Sequence, residues 1–106
     1  MREIIVGGRA MLTTNALVRQ LFLYASQLAN VDRTDVVDFP VHVDGATTGC
    51  TLLIGAHLPL SAVTVPRTEA GTLAGEDSAL FELRRRGDDL RESLARAAEP
   101  ARREDA

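Results

Sequence analysis

Asp35-Val-Val-Asp-Phe-Pro-Val-His-Val-Asp-Gly-Ala-Thr-Thr-Gly-Cys-Thr-Leu-Leu-Ile-Gly-Ala-His-Leu58 is the stretch whose reading decides the fold. From Val37 the apolar residues alternate: Val37, Phe39, Val41, Val43. Asp38, Pro40, His42 and Asp44 stand between them. A period of two with β-branched residues marks a half-buried strand. The alternation resumes after Cys50 as Leu52, Ile54, Ala56, Leu58. The turn formers Asp44 to Gly49 separate the two runs, so a β-hairpin is expected. With Asp44 opposite Gly49, the expected pairs are Val43 with Cys50, Val41 with Leu52, Phe39 with Ile54 and Val37 with Ala56. Each pair sets apolar against apolar or thiol. A slip by one residue would bring Asp38 and His42 onto that face, which disfavours it. Pro40 cannot donate to a ladder, so its strand is expected at an edge or bulged there.

Upstream, Arg2–Val6, Gly7-Gly8 and Arg9–Leu12 read as a shorter hairpin on a two-glycine turn. The Gly-Gly spacing fits neither a dinucleotide fingerprint nor a P-loop. Thr13, Thr14 and Asn15 offer N-cap oxygens. Leu17, Val18, Leu21, Phe22, Ala25, Leu28 and Ala29 then recur at helical spacing. Arg19, Gln20, Ser26 and Gln27 mark the wet side, and Leu23 and Tyr24 widen the apolar band. Downstream, Ala62–Val65 reads as a short strand, and Pro66–Asp77 as an exposed linker whose one large apolar residue is Leu73. Ser78 is a candidate N-cap. Leu80, Leu83, Gly87, Leu90, Leu94 and Ala97 then form a heptad-like stripe, with Gly87 a weak point or break and Pro100 the expected end.

The expected fold is α+β: hairpin, helix, hairpin and short strand in a small, mostly antiparallel sheet, then a linker and a C-terminal helix. The expected division is 1–66 core, 67–77 flexible linker, 78–99 helix and 100–106 frayed tail. The element order is similar to that of the β-grasp (ubiquitin-like) architecture, with no sequence motif behind the likeness. Carriers of that type end in Gly-Gly, whereas this chain ends Arg103-Glu-Asp-Ala106. Carrier function does not follow from the order.

The 106 residues suit one domain. Aromatics are 4% with no Trp, and the net charge is −3, so neither base stacking nor phosphate neutralisation is well supplied. Nucleic acid is not an expected partner. All 12 cations are Arg, which removes Schiff-base and phosphate-loop lysine chemistry. One Cys excludes an intramolecular disulfide. There is no signal-peptide core and no membrane-length apolar run, so a cytoplasmic location is expected and no membrane contact.

Candidate chemistry is sparse. In the expected register His42, His57 and Asp38 share the second face of the hairpin. Two His and one Asp could hold zinc with open positions, although the two His do not pair directly. The simpler account is a polar or partner-covered sheet face. Cys50 reads as a small hydrophobe, since both His point to the opposite face. Arg84-Arg-Arg86 lies among Glu82, Asp88, Asp89 and Glu92, as in a solvated helix face with internal ion pairs. Leu80, Leu83, Leu90 and Leu94 are the candidate interaction residues, because a leucine stripe behind a linker must be buried somewhere. These features lead to the expectation of a non-enzymatic accessory protein with no cofactor. Its expected partner is a second copy or another polypeptide. The alternative is a ligand- or metal-binding protein or enzyme using His42, His57 and Asp38.

Overall fold

In the structure, a computed structural model, the central hairpin turns on two residues rather than six. The structure describes residues 1–6, 8–65 and 72–104, with side chains described as far as residue 98. β3 (Thr34–Val43) and β4 (Ala46–Gly55) leave only Asp44 and Gly45 between them. Their φ angles are +50° and +82°. Asp-Gly is the dipeptide that tolerates two successive positive φ values, as a tight hairpin turn demands. Ala46 to Gly49 therefore join the strand. Phe39 lies opposite Cys50, and Val37 opposite Leu52. The expected pairs are each displaced by four residues. An even displacement leaves every side chain on its expected face, so Val37, Phe39, Val41 and Ile54 are all buried in the core as a hairpin of this pattern requires.

β1 (Arg2–Val6) and β2 (Arg9–Thr13) form the first hairpin, with Val6 opposite Arg9. β5 (Ser61–Thr64) adds to β1. The five strands run β4-β3-β2-β1-β5, and every pairing is antiparallel. The α+β class and the element order are as expected. β3 is an interior strand, but β2 meets it only at Leu12 opposite His42. Pro40 lies just beyond that bridge. Its carbonyl accepts the Thr13 hydroxyl at 2.9 Å, so its missing N–H also faces β2, where the ladder has ended. β3 is therefore neither the edge strand nor the bulged one that Pro40 led us to expect; the proline is accommodated because the side its N–H would occupy faces the stretch where β2 no longer pairs.

α1 (Asn15–Asn30) starts at Thr14, whose hydroxyl accepts the Leu17 N–H at 3.2 Å. Leu17, Val18, Leu21, Tyr24 and Leu28 are buried on the sheet. Phe22 and Ala29, expected on the inner face, are exposed, because Tyr24 and Leu28 turn the buried stripe away from them. Gly55 closes this end of the core. At φ +124° its missing Cβ would lie 2.4 Å from the Arg33 carbonyl, so only glycine fits.

α2 runs Glu76–Glu104, about 43 Å at 1.5 Å per residue. Of the expected linker, Pro66 to Gly71 fall outside the described residues. The rest is not an exposed linker. Leu73 is 7% exposed. The Glu76 N–H donates to the Leu73 carbonyl, and the Leu73 N–H donates to the Glu76 carboxylate. This reciprocal pair satisfies helix-start donors as a capping box does, and starts the helix two residues before Ser78. The helix is continuous through Gly87 and runs past Pro100. Gly87 is where α2 crosses α1 closely: a Cβ there would lie 2.8 Å from Gln27 Oε1.

Candidate functional site

The tighter turn also decides the fate of His42, Asp38 and His57. His42 lies next to the turn, opposite Thr47 on β4 and Leu12 on β2. Asp38 lies mid-strand opposite Thr51, whose hydroxyl donates to its carboxylate. His57 is not on the strand at all, because β4 ends at Gly55. It occupies a turn at φ +63°, with Nε2 3.1 Å from Asp32 Oδ1. That pair is 88% and 81% exposed, so water screens it. The far end of β3 at Thr34 is eight residues from His42, about 26 Å along a strand. The expected His42, His57 and Asp38 face is therefore not assembled. Among the described residues no group of three or more His, Cys, Asp or Glu side chains could hold a metal ion.

Cys50 sits opposite Phe39 and is partly buried. Burial pushes its thiol above the ordinary value, Asp38 adds to this, and Arg9 opposes it. A thiol held protonated is a poor nucleophile, in keeping with its reading as a small hydrophobe.

The leucine stripe divides. Leu80, Leu83 and Leu90 are 7%, 2% and 8% exposed and belong to the chain's own core, while Leu94 is 36% exposed. Three of the four candidate interaction residues are thus covered by this chain. Leu73 and Glu76 cap the helix start, and the first half of α2 packs onto α1 and β3.

A polar cluster that the sequence did not disclose anchors that half of α2. The Tyr24 hydroxyl donates to Asp35 Oδ2 at 2.6 Å. Arg86 Nη1 donates to the same oxygen at 3.1 Å and to the Val36 carbonyl at 2.6 Å. Arg86 Nε donates to Glu82 Oε1 at 3.0 Å. One chain of hydrogen bonds thus joins α1, β3 and α2. Burial pushes the Tyr24 hydroxyl up to about 12, reinforced by its hydrogen bond to Asp35. Hydrogen bonds from Arg85 and then Arg86 hold the Glu82 carboxyl down to about 2. Arg85 fits the expected solvated helix face, bonding Glu82 and Asp89 within α2. Arg86 does not, since besides Glu82 it bonds Asp35 and the Val36 carbonyl, about fifty residues away in sequence. Tyr24 widening the helix stripe, and Asp35 directly before the strand alternation, were the available signals.

Between the β3–β4 hairpin and the first turns of α2 lies a groove of about 550 Å³. Phe39, Pro40, Gly49, Ala74 and Ala79 line it, with Asp38 and Glu82 as its carboxylates. Apolar lining with two acids and no described cation suits an apolar side chain better than an anion. No helix among the described residues is long and apolar enough to cross a membrane. The chain matches no protein-family model, no curated protein and no solved structure.

Proposed function

We propose that the protein is a non-enzymatic interaction protein that associates with a second copy of itself and acts as an accessory partner for another polypeptide. The observation that supports this is an exposed cross-strand apolar pair on the sheet face away from the helices. Val36 and Leu53 lie directly opposite each other there, each 49% exposed, while Val63, 50% exposed, stands apart on β5 at the other edge of the sheet. Alternation puts these residues on the reverse side from Val37, Phe39 and Ile54, which the helices cover. Cross-strand apolar pairs left in water are a feature of surfaces that another chain covers. The alternative of a ligand or metal site at His42, His57 and Asp38 has lost the common face on which it stood.

Light scattering after size exclusion, over a concentration series of the full chain, tests the self-association directly. The expected result is a mass that rises from one chain to two. A strictly monomeric chain at the highest soluble concentration contradicts the proposal.

A further inference from the structure

The two edges of the sheet are built differently. An edge strand presents unpaired N–H and C=O groups, and proteins guard such edges with shortness, charge, proline or a bulge. β5 has four residues, which is protection by shortness. β4 has ten, and Ala46–Gly55 contains no charged residue and no proline. Its ladder with β3 is unbroken from Val43 opposite Ala46 to Thr34 opposite Gly55, so no bulge turns the edge away. Of the two strands, the charges and the proline, Asp35, Asp38 and Pro40, all lie on β3.

The outward groups can be assigned. Pro40 directs its carbonyl toward β2, away from β4. In an antiparallel ladder the residue opposite then turns away as well, and the pattern alternates along the strand. Gly49 is that residue. Thr47, Gly49, Thr51 and Leu53 therefore direct their N–H and C=O groups outward. Among the described residues none of these groups has a backbone partner.

We infer that two copies of this chain pair β4 to β4, antiparallel about a two-fold axis, joining their sheets into one. This rests on the self-association proposed above and names its surface. A neutral edge has no charge with which to select a foreign strand. It does allow self-pairing without the like-charge repulsion that a chain of net charge −3 meets elsewhere. Two-fold pairing is self-complementary: Thr47 meets Leu53 and Gly49 meets Thr51, so all four outward residues are matched at once, with Cys50 on the axis. Thr47, Gly49 and Thr51 are small enough on the reverse face to let a strand approach, and Leu53 extends the apolar pair with Val36.

Residue-resolved amide exchange above and below the dimerisation concentration tests the assignment. The Thr47, Gly49, Thr51 and Leu53 amides should slow by about tenfold or more in the dimer. The Thr48, Cys50 and Leu52 amides, already bonded to β3, should change little. Two variants accompany the measurement, with far-UV circular dichroism to confirm folding. Thr51→Pro removes an outward donor and no β3 ladder bond. Leu53→Lys adds the charge that guarded edges carry, at a position already half exposed. Leu53→Lys decides the matter if Thr51→Pro does not fold. Folded monomers support the inference. A dimer whose four outward amides exchange as in the monomer, or one that persists in the folded variants, overturns the β4 assignment and leaves self-association standing. A wild-type chain that is monomeric throughout overturns both.

Discussion

Leu83 and Leu94 lie on the same stripe of α2, yet Leu83 is 2% exposed and Leu94 36%. Up to Leu90 the stripe meets α1, and Arg86 ties the helix to Asp35 and the Val36 carbonyl. From Arg91 to Ala98 every described residue is exposed. There the charged side chains bond only within the helix, as Arg96 does with Glu92. Spacing makes a helix amphipathic, but whether its apolar stripe becomes core depends on what lies beneath it.

The largest expected contrast is in packing. Leu83→Ala should destabilise the fold by about 2–5 kcal/mol, whereas Leu94→Ala should stay near or below about 1 kcal/mol. Urea unfolding of both variants measures the difference, and equal losses would erase the division. The polar contrast comes next. Arg86→Ala deprives the Val36 carbonyl and Asp35 of a donor and should cost about 1–3 kcal/mol. Arg96→Ala removes only an exposed pair and should cost no more than about 0.5 kcal/mol.

The smallest effect is a dependence on alkaline pH. Tyr24 is raised from 10.0 to about 12 in the fold, so the unfolded chain loses this proton first. Its contribution is complete below pH 10.0 and is lost as pH rises toward about 12. Thermal melts across that interval should show a decline that Tyr24→Phe reduces. An unchanged decline in the variant would remove Tyr24 from the anchor.

Much of this architecture is legible in the residues. Alternation from Val37 to Val43 marks β3, and the three- and four-residue steps from Leu17 to Leu28 mark α1, because each element buries one face. The register was not legible, since Asp44 to Gly49 contains more than one glycine able to turn the chain. The choice fell on Asp44-Gly45, where both residues take positive φ. That single turn moved every cross-strand pair by four residues, ended β4 at Gly55 and separated His57 from His42. The start of α2 was hidden because Leu73 and Glu76 stand among turn formers and carry no periodicity. The Tyr24, Asp35, Arg86 and Glu82 cluster was hidden for a different reason. Local pattern pairs an arginine with the nearest acid, and only the tertiary fold brings Asp35 to Arg86.

Amide hydrogen exchange resolved along α2 tests the division most directly. Slow exchange from about Leu80 through Leu90, giving way to rapid exchange beyond Leu94, is the expected profile. Rapid exchange along the whole helix would mean that the stripe is not part of this chain's core. Uniform protection through Glu104 would likewise contradict the division of the helix into a packed and an uncovered half.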